Sequence, residues 1–351
     1  MKKIWVVLAI AAAGASGVAQ PITPAATPLP SFGEPGISPD GSTIAFVSGG
    51  VIWEVPARAP GSNDAHLLVS HPATESRPLF SPDGKRLAFT STRSGNGDVY
   101  VLTLASGEIS RLTFDDANEL VSGWSPDSKS IYFQSTSHDI SGVLDVYRVG
   151  ADGGTPMAVA ADRYTTEYFA APSPTGDVAI TARANAASQW WRKGHSHLDE
   201  SEIWIVRGTA YQQVTKGGAK DAWPMWDGDG KTLYFMSDRS GAQNIVATTG
   251  VAQPPSQGSG EPRRSPPDRG AGGGGGFGPA RTITTFKDGR VLWPSITKNG
   301  RTIAFERDFG IWTVDTQTNQ TREIPIVLRG APAAAAVEHR TFSDQIQELA
   351  L

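Results

Sequence analysis

Cysteine is absent from this chain of 351 residues. Thiol chemistry, structural disulfides and a lipid-attached cysteine are therefore excluded, so the fold must be held together by burial. An excess of charge of one sign is also missing, because 31 basic and 35 acidic residues leave a formal net charge of −4. This balance gives no electrostatic footprint for nucleic acid or an anionic membrane surface, and we expect neither as a partner.

The apolar run nearest the amino end, residues 4–13, is too short for a membrane span, which needs ~20 residues. It follows two lysines and precedes small residues, a pattern typical of a secretory signal peptide. We therefore predict a signal peptide over residues 1–19, cleaved near Gln20, and a periplasmic or secreted location without membrane insertion; a retained anchor is the alternative. Residues 20–33, rich in Pro, Ala and Thr, are predicted to be an extended spacer.

Signatures of common catalytic sites are missing as well. No serine lies in a G-x-S-x-G frame, the setting of a hydrolase nucleophile. Gly230-Lys231-Thr232 resembles the end of a phosphate-binding loop, but Met225 stands where the first glycine belongs, and a strand-like run follows where a helix is needed. We therefore expect no catalytic residue and no cofactor.

Six copies of one turn-and-strand phrase organise the remainder of the sequence. In the clearest copy, Ser81-Pro82-Asp83-Gly84, proline presets φ, aspartate can bond nearby amides and glycine tolerates positive φ. The other copies begin at Ser38, Ser125, Ser173, Asp227 and Thr297. The first steps between copies match the ~40–50 residues of one propeller blade. We therefore predict an all-β domain over residues 34–327, a six-bladed β-propeller of four-stranded antiparallel blades, each contiguous in sequence, although a strand swap at the closure is left open.

Two further patterns bear on the blades. Aromatic residues recur in the third strands and are predicted to lie in the core between sheets, at Trp53, Tyr100, Tyr147, Trp204 and Trp312. Residues 250–280 are rich in Gly and Pro and almost free of apolar residues, so we predict a disordered insertion in blade five. A domain linker is the competing interpretation, but a break there would leave blade five without its outer strand.

Residues 190–200 form a distinctive polar segment in the connection between the second and third strands of blade four. The candidates for contact with a peptide or protein are Trp190, Trp191, Arg192, Lys193, His195 and His197. Adjacent tryptophans beside Arg and His have the composition of interface anchors. A plain solvated loop is the simpler interpretation. A metal site of His195, His197 and Asp199 is the third, because these residues alternate along an extended segment; we expect no metal.

The S-P-D-G-K-x-[LI]-A-F phrase, with D-V-Y-V and S-R-L-T-F after it, resembles the TolB-type propeller repeat. More narrowly, W-R-K-G-H-S-H at residues 191–197 and the closing residues 328–349 resemble the first propeller of bacterial tricorn-like proteases. The resemblance implies a six-bladed propeller followed by a second propeller, a PDZ-type domain and a serine-protease core. Residues 328–351 are then a tail that begins a missing second domain, and no residue here matches the family's catalytic serine, its partners or its oxyanion hole.

Two functions are consistent with these patterns. The first is a non-catalytic substrate-gating or recognition propeller of an exported tricorn-like serine protease, cut short before its catalytic core, with further propeller and protease domains or subunits as partners. The alternative is a standalone periplasmic TolB-like propeller that binds protein in an envelope complex. Sequencing the gene beyond Leu351 separates them, because further repeats and a protease core favour the first and a stop codon favours the second.

The tryptophan pair gives a direct test of the blade-four segment. Replacing Trp190 and Trp191 together with Ala should abolish partner or peptide binding by this segment with little change in the free energy of unfolding, because exposed aromatic anchors contribute to the interface and not to the core. Titration calorimetry and urea melts of the variant measure both quantities. A loss of several kcal/mol in stability, the size expected for buried tryptophans, would contradict the interface interpretation.

Overall fold

The computed structural model describes residues 30–57, 63–139, 142–162, 165–182, 199–250 and 277–329. The predicted signal peptide, residues 20–29 of the predicted spacer and the tail from residue 330 lie outside these ranges. Regular secondary structure within the ranges is entirely β-strand, and none of the described residues forms a helix long and apolar enough to cross a membrane.

Six sheets, each built on four antiparallel strands that are consecutive in sequence, confirm the predicted propeller. The innermost strands are β1 (Gly33–Ile37), β5 (Glu75–Phe80), β9 (Leu120–Trp124), β13 (Glu167–Pro172), β17 (Asp221–Trp226) and β21 (Leu292–Ile296). The second strands are β2 (Thr43–Ser48), β6 (Arg86–Ser91), β10 (Ser130–Ser135), β14 (Val178–Ala182), β18 (Thr232–Ser237) and β22 (Thr302–Arg307). The innermost strands contact one another in a closed cycle, β1 to β5 to β9 to β13 to β17 to β21 and back to β1.

The two outer strands of each blade complete the sheets. The third strands are β3 (Val51–Pro56), β7 (Asp98–Thr103), β11 (Asp145–Gly150), β15 (Glu202–Arg207), β19 (Asn244–Thr249) and β23 (Gly310–Asp315). The fourth strands are β4 (Asp64–Val69), β8 (Glu108–Arg111), β12 (Met157–Ala160), β16 (Ala210–Gln213), β20 (Arg281–Thr282) and β24 (Thr321–Ile324). A last short strand, β25 (Val327–Leu328), follows the sixth blade.

The repeated turn joins the innermost strand of a blade to the second strand. In the second copy the Ser81 hydroxyl donates to Asp83 Oδ1 over 2.6 Å and accepts from the Arg86 amide over 3.0 Å. The first and third copies repeat this pair of bonds from Ser38 and Ser125. Gly84 takes φ 70°, the left-handed conformation that the turn requires. The phrase therefore fixes which end of each blade carries the turn.

The core lies between neighbouring blades and is filled from the second and third strands. Phe89 is fully buried and stacks on Tyr100 of the third strand, with ring centroids 5.8 Å apart. Of the predicted core aromatics, Trp53, Tyr100, Tyr147 and Trp204 are buried, which confirms the prediction. Trp312 is half-buried and packs at the edge of a core cluster.

The ring closes by contacts between the first and sixth blades. The Phe32 amide donates to the Phe309 carbonyl over 2.9 Å, and the Lys298 amide donates to the Pro39 carbonyl over 3.1 Å. In addition, β25 pairs in parallel with the outer strand β4 of the first blade, so that this sheet gains a fifth strand. The blades are contiguous, as predicted, and the parallel addition of β25 is a feature that the repeat did not indicate.

The predicted insertion of blade five falls mostly on residues 251–276, which lie outside the described residues. Its two ends are held together, because Gly250 bridges Phe277 and the Gly278 amide donates to the Thr249 carbonyl over 2.8 Å. Beyond the insertion, β20 pairs with β19 and supplies the outer strand of the blade. The insertion therefore interrupts the hairpin between β19 and β20.

The central position of Phe89 gives a stability prediction. Phe89→Ala should lower the free energy of unfolding by about 3–5 kcal/mol, because it leaves a cavity between the first and second blades. Phe114→Ala is the matched control, since this ring is 70% exposed, and it should lower stability by less than about 1 kcal/mol. Urea melts of both variants measure the difference; a loss below about 1 kcal/mol for Phe89→Ala would place this ring outside the core.

Candidate functional site

The contact candidates predicted from sequence, Trp190, Trp191, Arg192, Lys193, His195 and His197, lie outside the described residues. The strands that the segment connects are described: Ala182 at the end of β14 pairs with Glu202 at the start of β15. This pair is at the end of blade four opposite to the Ser173-Pro174-Thr175-Gly176 turn. Partner contact by the segment therefore stays a prediction, and the described residues point to a second candidate on the propeller axis.

Each innermost strand carries a β-bulge against the second strand of its blade. In five blades a residue of the bulge is left-handed, with φ between 50° and 54°, and these residues are Glu34, Arg77, Phe169, Trp223 and Trp293. A non-glycine residue in this conformation costs of the order of 1–3 kcal/mol, and bulges commonly redirect a side chain. The third blade has Val121 at the equivalent place, buried in a core cluster.

The bulge residues of blades four, five and six meet one another. The Phe169 ring stacks on Trp223 with centroids 4.9 Å apart, and Trp293 lies edge-on to them at 5.6 Å from Phe169 and 5.4 Å from Trp223. Phe169 is further fixed by its amide, which donates to Gln134 Oε1 of the third blade over 3.0 Å. We call Phe169, Trp223 and Trp293 the aromatic plug, because side chains from three blades can meet in this way only on the axis.

Arg77, the bulge residue of the second blade, is 3% exposed and extends its guanidinium over Trp293, 4.5 Å from the ring centroid. Its Nε donates to the Val121 carbonyl over 3.3 Å, and its amide donates to Glu34 Oε2 over 2.5 Å. Burial lowers the pKa of Arg77 to about 10, against the opposing attraction of Glu34. Burial also raises the pKa of Glu34, with Arg77 opposing. Arg77 is therefore a buried cation at neutral pH.

A cavity of about 320 Å³ lies on the turn side of the aromatic plug. We call it the turn-side cup. Arg77, Phe169 and Trp223 line it together with apolar wall residues such as Leu79, Phe80 and Met225, and prolines of the turns, among them Pro82 and Pro126, line its mouth. The cup is thus a concave, mostly apolar site with few polar groups, the form that ligand sites usually take.

Most polar groups around the cup are already used by the fold. Trp124 Nε1 donates to the Leu79 carbonyl over 2.9 Å, and Trp226 Nε1 donates to the Ala171 carbonyl over 3.1 Å. Three lining residues instead keep a buried polar atom without a hydrogen-bond partner among the described residues, and these atoms are Arg77 Nη1, Ser122 Oγ and Trp223 Nε1. These three atoms are closed to solvent, so they belong to the packing behind the wall of the cup and not to its accessible surface.

A second cavity, of about 340 Å³, lies at the other end of the axis and is lined by Glu34, by polar residues such as Asn118 and Gln134, and by Trp293. Three carboxyl groups elsewhere, in or beside the innermost and third strands, have raised pKa values. Burial raises the pKa of Glu119 to about 7, that of Glu167 to about 7 and that of Asp145 to about 6. Glu119 Oε2 accepts from the Thr113 hydroxyl over 3.0 Å. The cavity at this end thus contains one carboxylate, that of Glu34, whereas the turn-side cup has none but that of Asp227.

Sequence reasoning did not identify the plug or the cup, although a signal was present. Each bulge residue stands four positions before the first residue of a repeated turn, and in four blades proline follows it, as Glu34-Pro35, Arg77-Pro78, Trp223-Pro224 and Trp293-Pro294. The bulge residues lie in different blades, far apart in sequence, so their convergence on the axis follows only from ring closure.

Comparison with known proteins extends the fold assignment. Residues 32–259 match the tricorn protease N-terminal β-propeller domain. Tricorn protease homolog 1 of Streptomyces coelicolor is 26% identical over 246 residues, which cover 66% of this chain and 20% of that protein. The tricorn protease of Thermoplasma acidophilum is 25% identical over 225 residues, which cover 60% of this chain and 20% of the relative. The chain thus spans about one fifth of the length of these two relatives.

Solved structures give the same architecture. A crystal structure of the tricorn protease superposes with a TM-score of 0.65 at 22% identity, covering 87% of this chain and 27% of that one. The TolB protein of Acinetobacter baumannii superposes with a TM-score of 0.52 at 16% identity, covering 83% of this chain and 62% of that one. At these identities the likeness establishes the fold alone.

The raised pKa of Glu119 predicts a pH dependence of stability. The folded state keeps the Glu119 proton up to about pH 7, whereas the unfolded state releases it near its ordinary pKa of 4.5, so stability is present at low pH and is lost as pH rises to about 7. Glu119→Gln, which imitates the protonated form, should weaken the fall in melting temperature between pH 5 and pH 8. Glu108→Gln on the exposed strand β8 is the control; equal pH profiles for the two variants would contradict the assignment.

Proposed function

We propose, from the premise that this chain belongs to the tricorn protease N-terminal β-propeller family, that it is a non-catalytic recognition module which binds peptide segments in the turn-side cup. In this role the propeller selects or gates unfolded substrate for a serine-protease core carried by further domains or subunits. The carrying observation is the cup itself, a mostly apolar cavity of about 320 Å³ that lies on the turn side of the aromatic plug.

The aromatic plug favours recognition of a peptide over its passage along the axis. Phe169, Trp223 and Trp293 are in mutual contact, so a chain could not thread the axis without moving at least one of these rings. A segment that enters from the turn side would therefore stop in the cup. The volume suits one or two side chains, which is the scale on which a recognition site reads a short part of an extended peptide.

A standalone periplasmic propeller that binds protein is the second candidate. The superposition on the TolB protein of Acinetobacter baumannii is compatible with it at the level of fold. Both candidates use the same cup and both require export, for which the amino-terminal pattern of residues 1–19 is the support. The two candidate functions differ in whether a protease core then acts on the captured segment.

Residues 190–200 are a second contact surface under either candidate. Because Ala182 and Glu202 end their strands away from the turns, a partner held by this segment would reach the propeller from the opposite end to a peptide in the cup. We therefore propose two separate contacts, one for a captured segment and one for a docking partner, with Trp190, Trp191, Arg192, Lys193, His195 and His197 in the second.

The absence of cysteine makes the cup accessible to selective labelling. We expect the full chain to retain peptides from a tryptic digest of casein without cleaving casein itself. A Pro126→Cys variant should lose this retention when a bulky maleimide is attached, because Pro126 is exposed at the mouth of the cup. Retention is measured by mass spectrometry of the peptides released from the immobilised chain.

Ala105→Cys is the matched control, since Ala105 is exposed in the outer hairpin of the second blade and does not line the cup. The labelled control should retain peptides as the unlabelled chain does. Equal retention by both labelled variants would show that the cup is not the site, and cleavage of casein by the purified chain, with contaminating proteases excluded, would show that the module is not free of catalysis.

A further inference from the structure

The second cavity, at the end of the axis opposite to the repeated turns, is lined by a different set of groups from the turn-side cup. Its polar lining residues are Glu34, Ser76, Asn118 and Gln134, and its apolar ones include Leu120 and Trp293. Asn118 is exposed, and Glu34 and Ser76 are half-buried, so solvent reaches this lining. No Lys, Arg or His of the described chain lines the cavity, and Glu34 is its single charged group.

Hydrogen bonds and strand pairing bring the polar lining residues together. The Arg77 amide donates to Glu34 Oε2 over 2.5 Å, and Arg77 directly follows Ser76 in β5. Gln134 of β10 pairs with Leu120 of β9 in the next blade. Three consecutive blades therefore place polar groups around one cavity.

Four polar groups of this lining keep unused hydrogen-bonding capacity. Within the described residues, Glu34 Oε1, Ser76 Oγ and the side-chain amide of Asn118 make no hydrogen bond. Gln134 Oε1 accepts from the Phe169 amide over 3.0 Å, which leaves the Gln134 Nε2 donor without a partner there. None of these atoms belongs to the unpartnered atoms that are closed to solvent, in contrast to those behind the wall of the cup.

Negative charge accumulates on this side of the axis. Glu306 Oε2 accepts from the Glu34 amide over 3.2 Å, so a second carboxylate lies beside the first. Burial raises the pKa of Glu306, and the charge of Glu34 adds to this rise, against Arg290 and a backbone hydrogen bond. Burial likewise raises the pKa of Glu34, with Arg77 opposing. A cation bound in the cavity would therefore stabilise the ionised form of Glu34.

The hydrogen-bonding groups indicate which cation the cavity suits. A primary ammonium has three donors and no acceptor, and Glu34, Ser76 and Asn118 each offer it an oxygen acceptor. Its bond to a carboxylate is charge-assisted, and an aromatic ring such as that of Trp293 adds attraction for a cation. Gln134 Nε2 can only donate, so it suits a carbonyl oxygen next to the ammonium.

We propose that the second cavity binds a primary ammonium group through Glu34, Ser76 and Asn118, with Gln134 donating to a neighbouring carbonyl oxygen. The ammonium can come from the amino terminus of a peptide or from a lysine side chain, and the two sources share this recognition chemistry. The site goes beyond the proposed function, because it lies at the other end of the axis from the turn-side cup and does not depend on peptide binding there.

The test uses the full chain, titration calorimetry and three probes at about pH 7, below the ordinary pKa of an amino group. Leu-Leu-amide carries a terminal ammonium, acetyl-Leu-Lys-amide carries a side-chain ammonium, and acetyl-Leu-Leu-amide is neutral. We expect at least one ammonium probe to bind about 10-fold or more tightly than the neutral probe, the size of a charge-assisted hydrogen-bond contribution. The tighter of the two ammonium probes identifies the source.

Charge changes at Asn118 place the binding in this cavity. Asn118→Asp adds a second carboxylate to the lining and should raise the affinity for the ammonium probe about 3-fold or more, whereas Asn118→Lys should lower it by a similar factor or abolish it. Because Asn118 is exposed, neither change should shift the melting temperature by more than a few degrees. Gln317→Glu and Gln317→Lys are the matched controls, since Gln317 is exposed in the hairpin after β23 and does not line the cavity, and they should leave the affinity unchanged.

Glu34→Gln keeps an oxygen acceptor for the Arg77 amide and removes the charge, so it should reduce the affinity for the ammonium probe about 10-fold or more. Should this variant unfold, because Arg77 loses a nearby counter-charge, the opposite effects of the two Asn118 variants still decide the question. The neutral probe should bind all of the folded variants equally, because it has no charge to respond to these changes.

Equal affinity of the three probes would overturn the inference, and so would an ammonium affinity that the charge at Asn118 does not change. If casein peptides are retained in the cup and the ammonium probes do not bind, the proposed function stands and the inference is wrong. If the ammonium probes bind as expected and the labelled Pro126→Cys variant retains casein peptides, the inference stands and the cup is wrong.

Discussion

The convergence of six innermost strands on one axis is the constraint on which the rest of this structure depends. The strands contact one another in a closed cycle, and the space inside that cycle must be filled by side chains or left to solvent. Five bulge residues with φ near 50° supply the filling, at a conformational cost of the order of 1–3 kcal/mol each. Stacking among Phe169, Trp223 and Trp293 offsets part of that cost, since aromatic pairs contribute ~0.5–1.5 kcal/mol beyond their burial.

Each blade is contiguous in sequence, so the ring is closed by contacts between the first and sixth blades. Because no blade shares a strand with the next, the first and sixth blades are joined by hydrogen bonds such as Phe32 to Phe309, and not by a strand common to both. The pairing of β25 with β4 adds a second link at the rim, reinforced by Arg329 and Asp64 at 2.7 Å. These links add to a hydrophobic cluster in which Ile44 and Phe46 of the first blade pack with Ile311 of the sixth.

The sequence was sufficient for the fold because the fold is built from local signals that repeat. The turn at Ser81 can be predicted from its own proline, aspartate and glycine. Each copy of the turn also predicts the strand before it and the strand after it, so six copies predict the number of blades and the order of their strands. The candidate site was not accessible in this way. Arg77 and Trp293 are separated by more than two hundred positions, and their contact depends on ring closure, which is a property of all six blades. The pairing of β25 was missed for the same reason.

In a repeat protein we expect functional residues at positions where the blades differ, and the bulge position is one of these. The same backbone place holds Glu34, Arg77, Val121, Phe169, Trp223 and Trp293 in the six blades. Three aromatic rings there pack against one another, as a scaffold alone would require. The buried cation there is held by the Val121 carbonyl, the Trp293 ring and the attraction of Glu34, although burial opposes its charge. Natural sequences depart from local consistency mainly at functional sites. The departure at Arg77 is one reason why we propose the turn side of the axis as the place of recognition, where the repeat itself carries no information.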